Sequence, residues 1–191
     1  YLIDPSNTAW QNYLIAENQK VYQYLDFDGF HMDQLGDRGA RYKYDGTYLK
    51  LADTYKPFID AVKADEPNKY VAMNAVNQYG QQGISQSEAD FLYTEVWSPY
   101  DSYGDLANLI KQNNQLANNS KNTVLAAYMN YDMANNSGYF NTPSILMTDA
   151  VIFAFGGAHL ELGEHMLGKE YFPNSNLAMR PPVRDPSNMN Y

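Results

Sequence analysis

Acidic and amide side chains follow the apolar, strand-like segments of this 191-residue sequence. Asp33 ends the segment at residues 29–33, and Glu95 lies near the end of the segment at residues 91–96. The carboxyl ends of the strands form the active site of a β/α barrel, so side chains at these positions would converge there. The candidates at strand ends are Asp4, Asp33, Asn77, Glu95, Asp132 and Glu161, with His31, Tyr131 and His159 beside them.

Several carboxylates at one end of a barrel favour acid–base chemistry. Like charges raise one another's pKa, so one carboxyl group can keep its proton near neutral pH while another is ionised. Cleavage of a glycosidic bond uses such a pair: the acid protonates the leaving oxygen, and the carboxylate attacks the anomeric carbon or activates water. The residues alone leave open whether Asp33 and Glu95 are catalytic. They also leave Asp37 open between a surface ion pair with Arg38 and a sugar-contacting loop.

The apolar pattern predicts an α/β scaffold for these side chains. Near-continuous apolar strands alternate with amphipathic helices, which is typical of a parallel sheet covered by helices. The predicted strands cover residues 1–4, 29–33, 70–76, 91–96, 123–130 and 158–161, and the predicted helices cover 10–25, 49–64, 85–89, 103–118 and 142–155. A (β/α)8 TIM barrel needs about 250 residues, so we predict an incomplete barrel with roughly its last six strands. An open doubly wound sheet is the alternative, although no glycine-rich phosphate loop follows any strand.

Charge and composition disfavour several classes of partner. The 13 Lys and Arg residues and 22 Asp and Glu residues give a formal net charge of −9, which repels nucleic acid and anionic membrane surfaces. No apolar run is long enough to insert into a bilayer. The sequence has no Cys, and the His-x-Glu spacing of His159 and Glu161, with His165 nearby, is a weak metal signal. We therefore predict no metal and no cofactor.

The aromatic and amide composition fits a neutral sugar ligand. The sequence contains 18 Tyr, 8 Phe and 2 Trp residues and is rich in Asn. Tyr and Trp offer flat apolar faces with a polar edge, and Asn, Asp and Glu can bind hydroxyl groups. A Tyr-rich core with polar loops would produce the same composition, so composition alone does not decide between these interpretations.

Three segments resemble the signatures of glycoside hydrolase family 66. FDGFHMDQLGDRG at residues 27–39 resembles the signature of the family's fourth strand, and YTEVW at residues 93–97 resembles its acid/base strand. The third segment is GGAHLELG at residues 156–163, followed by ML at 166–167 and EYFP at 170–173. The segments keep the order of the family's signatures, and together they are more specific than any one alone.

The resemblance implies that residues 1–191 are the C-terminal portion of a (β/α)8 glycoside hydrolase catalytic domain. By motif match, Asp33 would be the nucleophile and Glu95 the general acid/base of a retaining enzyme, which agrees with their positions at strand ends. A retaining enzyme holds the two carboxyl groups about 5–5.5 Å apart and forms a covalent glycosyl intermediate on one of them. Two upstream strands of the family barrel are absent from this sequence, so the isolated chain could be inactive.

The resemblance also implies the substrate and the residues around it. Dextran and isomaltooligosaccharides are the expected substrates, which predicts an extracellular or bacterial cell-surface protein because dextran is extracellular. Neighbouring side chains would bind sugar hydroxyl groups, tune the catalytic carboxyl groups or stack under glucose rings. This predicted substrate-binding set is His31, Asp37, Asn77, Trp97, Tyr131, Asp132, His159 and Glu161.

The family contains endo-dextranases and cycloisomaltooligosaccharide glucanotransferases, which differ in whether water or a sugar hydroxyl group reaches the covalent intermediate. We predict an endo-dextranase, because no binding module is inserted between the last strand motifs, where glucanotransferases of this family carry one. A glucanotransferase and a non-catalytic glucan-binding barrel remain alternatives. A sugar isomerase or aldolase would need a metal or a Schiff-base Lys at a strand end, and none of the strand ends carries a Lys. The sequence leaves the oligomeric state open.

Overall fold

Apart from three consecutive strands near the start, helices and strands alternate along the described chain. A computed structural model describes residues 3–34, 36–130 and 142–160. The helices are α1 Thr8–Tyr24, α2 Ala52–Asp65, α3 Gln81–Ser85, α4 Tyr103–Leu116 and α5 Thr142–Ala154, with a 3-10 helix at Val76–Gln78. The strands are β1 Gly29–Met32, β2 Arg41–Tyr42, β3 Tyr48–Leu49, β4 Tyr70–Met73, β5 Leu92–Val96, β6 Thr123–Ala127 and β7 Ala158–His159.

Residues Tyr1–Thr94 and Gln112–Thr123 form a first compact unit. Here β1 and β4 pair in parallel, with Gly29 opposite Tyr70, and a parallel bridge joins Asn74 to Tyr93 of β5. One face of α2 packs on this sheet, because its apolar residues recur at helical spacing. The core consists of buried residues that include Met32, Phe58, Ile59, Val62, Val71, Met73, Ile84 and Leu92.

Residues Glu95–Lys111 and Val124–Tyr191 form a second unit. Its sheet places β6 between β5 and β7, and β6 pairs with β7 in parallel. Its core consists of buried residues that include Val96, Leu106, Leu109, Ile110, Leu125 and Ile152. In both units the apolar strands carry the core; Asp33 directly follows β1, and Glu95 is the fourth residue of β5.

Three local predictions are wrong. The helix predicted at residues 85–89 lies at Gln81–Ser85, because the Ser85 hydroxyl group donates to the Gln82 carbonyl oxygen and closes the helix rather than starting it. Residues 36–46, where the pattern predicts no strand, contain β2, which pairs with β3 in a hairpin. The Asp45 carboxylate accepts from the backbone of Thr47 in the hairpin turn.

The third error concerns the strand predicted at residues 1–4. Ile3 and Asp4 are not in a strand, and the first two residues lie outside the described part of the chain. Asp4 Oδ1 accepts hydrogen bonds from the backbone nitrogen and the hydroxyl group of Ser6, 2.9 and 2.6 Å away. These bonds form a turn that leads into α1. Within the described ranges, no helix has the length and apolar character that a membrane span requires.

Gly29→Ala tests the register of β1 against β4. An ideal Cβ at Gly29 would clash with the carbonyl oxygen of Tyr70, so the backbone has to move. We expect the free energy of unfolding of the full-length protein to fall by about 1–3 kcal/mol, the usual cost of overpacking. Thermal unfolding measures this loss.

The matched control is Gly104→Ala in α4. An added Cβ there would lie 3.6 Å from Ser102 Oγ, an ordinary contact. Because glycine inside a helix costs about 0.5–1 kcal/mol relative to alanine, the control should unfold at the same temperature or slightly above it. Equal midpoints for the wild type and Gly29→Ala would contradict the register.

Candidate active site

The carboxylate of Asp33 is exposed directly after β1, with one of its oxygens held in place. Its Oδ1 accepts from the backbone nitrogen of Gln34 and from Nδ2 of Asn74, each 2.9 Å away. Asn74 follows β4 and is only 2% exposed. Its backbone nitrogen donates to the carbonyl oxygen of Met32, 2.9 Å away. The parallel pairing of β1 with β4 therefore brings Asn74 to the base of the Asp33 carboxylate.

Gln34 fastens the loop that follows Asp33. Its Nε2 donates to the carbonyl oxygen of Asn74, 2.8 Å away, and its Oε1 accepts from the backbone nitrogen of Gly36 and from the Tyr55 hydroxyl group. Burial, with smaller contributions from Tyr79 and Asp37, raises the pKa of Tyr55 above its usual value. The Tyr55 hydroxyl group therefore stays protonated and available as a donor to Gln34.

Glu95 lies on β5 of the second unit, half-buried beside two aromatic side chains. The Tyr128 hydroxyl group lies 3.4 Å from Glu95 Oε1 and donates to it. The Tyr128 ring packs against Trp97, with centroids 4.6 Å apart and planes inclined by 34°. A carboxyl group beside aromatic side chains is suited to a glycoside. The glycoside offers a glycosidic oxygen to protonate and a sugar ring with an apolar face.

The other predicted residues of the first unit lie around β1 and β4. His31 is on β1, and its ring meets the Tyr93 ring edge-on, with centroids 4.8 Å apart. Asp37 is exposed and accepts from the backbone nitrogen of Gly39, 2.8 Å away. Among the described residues it forms no ion pair with Arg38.

Asn77 is half-buried in the 3-10 helix with φ of 48°, a left-handed conformation that Asn tolerates.

The whole chain, residues 1–191, matches the model of the family described as glycosyl hydrolase family 66. The chain belongs to glycoside hydrolase family 66. The resemblance carried by the three sequence segments is thereby confirmed. Most glycoside hydrolase families use a pair of Asp or Glu side chains in catalysis.

Two curated proteins of Niallia circulans, both named cycloisomaltooligosaccharide glucanotransferase, are similar to this family 66 chain. One is 38% identical over 148 residues, and the match covers 72% of this chain and 15% of that protein. The other is 37% identical over 143 residues, covering 69% and 14%. The chain therefore spans about 15% of the length of these relatives.

A solved structure is also similar. It is a cycloisomaltooligosaccharide glucanotransferase of Paenibacillus sp. in complex with cycloisomaltoheptaose. The TM-score is 0.62 at 35% sequence identity, and the match covers 68% of this chain and 20% of that one.

His159 has an internal position in the family 66 chain. Its Nδ1 lies 2.7 Å from Asp149 Oδ1, and its Nε2 lies 3.2 Å from the carbonyl oxygen of Ala127. The side chain is 1% exposed. Both ring nitrogens thus face partners inside the second unit, where the ring joins α5 to the end of β6.

Tyr131, Asp132 and Glu161 lie outside the described residues, so their predicted roles stay predictions. Within the described ranges, no group of three or more His, Asp or Glu side chains is arranged to hold a metal ion. Sequence reasoning missed Asn74 and Tyr128. A signal for Asn74 was present, because an Asn inside an apolar strand needs a buried hydrogen-bond partner.

His159→Gln separates an anchoring role from the predicted sugar-binding role. If the ring anchors α5 to β6, the variant should lose about 1–3 kcal/mol of stability, since Asp149 and Ala127 lose a buried partner. The KM for the substrate should stay unchanged. Thermal unfolding and steady-state kinetics of the full-length protein measure the two effects.

Asp149→Asn is the matched control, because it alters the same contact from α5. It should destabilise the protein in parallel, and the double variant should show a stability loss smaller than the sum of the two. A several-fold rise in KM for His159→Gln without a change in stability would instead assign His159 to sugar binding.

Proposed function

We propose that the protein cleaves α-1,6-glucosidic bonds with retention of configuration, using Asp33 as nucleophile and Glu95 as general acid/base. The observation that carries the proposal is the Asp33 carboxylate, exposed at the end of β1 and held at Oδ1 by Gln34 and the buried Asn74. In a chain of family 66, a fixed and accessible carboxylate at a strand end is suited to attack an anomeric carbon.

The reaction takes two steps. An oxygen of Asp33 attacks the anomeric carbon, a glycosyl ester forms, and the bond to the leaving oxygen breaks as that oxygen takes a proton from Glu95. Glu95 then takes a proton from water or from a sugar hydroxyl group, whose oxygen attacks the same carbon and releases Asp33. The configuration is inverted twice and is therefore retained.

The scaffold that we propose is an incomplete (β/α)8 barrel, the C-terminal portion of the catalytic domain. Three features support it: the parallel pairing of β1 with β4, the parallel bridge from Asn74 to β5 and the parallel pairing of β6 with β7. Helices α2, α4 and α5 lie between these strands in the chain. Successive parallel strands joined through helices are the repeating unit of such a barrel.

Dextran and isomaltooligosaccharides are the substrates that we propose. The support is the family, together with relatives whose names refer to cyclic isomaltooligosaccharides and a similar structure that holds cycloisomaltoheptaose. Trp97 and Tyr128, packed together beside Glu95, offer an apolar surface for a glucose ring. Because dextran is outside the cell, we propose an extracellular or bacterial cell-surface location.

Hydrolysis and cyclising transfer begin with the same glycosyl ester. The lack of an inserted binding module between the last strand motifs favours an endo-dextranase, and the names of the relatives favour a glucanotransferase. Products of dextran digestion separate the two. Linear isomaltooligosaccharides with new reducing ends indicate hydrolysis, whereas cyclic products without reducing ends indicate transfer.

Asp33→Asn and Glu95→Gln should each abolish most of the cleavage of dextran by the full-length protein. We expect kcat to fall by about 10³-fold or more, as loss of a nucleophile or a proton donor does. The measurement is the disappearance of dextran and the release of products, with starch and cellulose as substrates that should remain intact. Glu95→Gln should keep more activity on isomaltosyl fluoride, because fluoride leaves without a proton.

The matched control is Asp65→Asn, which changes an exposed carboxylate on α2 that contacts Gln19. It should behave as the wild type. Near wild-type cleavage by Asp33→Asn or by Glu95→Gln would show that the role assigned to that residue is wrong. A folded wild-type protein that binds dextran without cleaving it would support the glucan-binding alternative.

A further inference from the structure

Asn74 contacts the proposed nucleophile without lying on the surface that a substrate can reach. Its Nδ2 donates to Asp33 Oδ1, while the side chain is 2% exposed. The backbone of Asn74 is tied on both sides, to Met32 through its nitrogen and to Gln34 through its carbonyl oxygen. A parallel bridge joins it to Tyr93.

The two oxygens of Asp33 are in different environments. Oδ1 accepts from Gln34 and Asn74, and Oδ2 has no hydrogen-bond partner among the described residues. Two donors on one oxygen fix the plane of the carboxylate and draw negative charge towards that oxygen. The other oxygen is left without a donor among the described residues, on a residue that is exposed. This asymmetry makes the oxygens chemically distinct before a substrate binds.

We infer that Asn74 is a positioning residue, which holds Oδ1 so that Oδ2 is the oxygen that attacks the anomeric carbon. In that step the bond from Oδ2 to the carbon forms, the bond to the leaving group breaks, and Oδ1 becomes the carbonyl oxygen of the glycosyl ester, still bonded to Asn74. The inference rests on the proposed function of Asp33. It adds which oxygen of Asp33 reacts and which residue orients the carboxylate.

The hydrogen bond to Asp33 explains why a polar residue occupies this buried strand end. A buried amide without hydrogen-bond partners is unfavourable. Asn74 meets that requirement by giving Nδ2 to Asp33. An apolar residue of similar size would fill the same space and would leave the carboxylate with a single donor, free to rotate about its side-chain bonds. Since a displacement of about 1 Å can cost 100-fold in rate, such freedom matters for attack.

Isomaltosyl fluoride reports the attack of Asp33 directly, because its cleavage needs no proton from Glu95. For Asn74→Ala in the full-length protein we expect kcat/KM on this substrate to fall by about 100-fold. The loss should be similar on dextran, which separates Asn74→Ala from Glu95→Gln. The control is Asn113→Ala, a buried Asn that accepts from Gln78. It should lower the unfolding temperature without changing kcat/KM.

Asn74→Asp provides a readout that a structural role would not move. A carboxyl group at this position can donate to Asp33 Oδ1 only while it is protonated. The variant should therefore work best at acidic pH and lose kcat/KM as the pH rises and the new group ionises, because the donor disappears and a like charge replaces it. Asn74→Ala should keep the shape of the wild-type profile at a lower level. This variant also tests the inference if Asn74→Ala fails to fold.

The outcomes are distinct. Loss of kcat/KM in Asn74→Ala, with the acid-shifted profile of Asn74→Asp, supports the inference. Wild-type kcat/KM for Asn74→Ala, or a wild-type pH profile for Asn74→Asp, overturns it while Asp33→Asn stays inactive and the proposed function stands. Activity of Asp33→Asn would overturn the proposed function and this inference with it.

Discussion

The hydrogen bond between Asn74 and Asp33 depends on the pairing of two parallel strands, and the chemistry that we propose depends on that bond. Residue by residue, β1 and β4 lie in register from Gly29 opposite Tyr70 to Met32 opposite Met73. The next step of this ladder places Asn74 under Asp33. A shift of one residue would turn the Asn74 side chain to the other face of the sheet. The register therefore sets both the core and the orientation of the carboxylate.

In the second unit, different side chains contact the candidate carboxyl group, Glu95. Glu95 lies next to a hydroxyl donor, Tyr128, whose ring is packed against Trp97. His159, on the last described strand, is engaged at both ring nitrogens by Asp149 and the backbone of Ala127. In this unit Glu95 thus has an aromatic neighbour that donates to it, whereas His159 ties α5 to the sheet.

The sequence pattern predicted the buried strands and long helices well, because apolar runs and helical spacing report directly on burial. It failed where local hydrogen bonds set the secondary structure. Ser85 ends a helix that it was expected to start, and Asp45 supports the turn of a hairpin where no strand was expected. Motif matching correctly indicated the family, whereas Asn74 was overlooked in favour of Asn77. The contact of Asn74 with Asp33 joins residues 41 positions apart, and only the strand register brings them together.

The most direct test of the account is the identity of the residue that becomes glycosylated. A fluorinated α-isomaltosyl fluoride that forms its glycosyl ester faster than the ester hydrolyses would be incubated with the full-length protein, which would then be digested and analysed by mass spectrometry. The account predicts one sugar ester per protein, on the peptide that contains Asp33, and no label in Asp33→Asn. A label on another carboxylate, or turnover of the reagent with inversion and no covalent species, would contradict it.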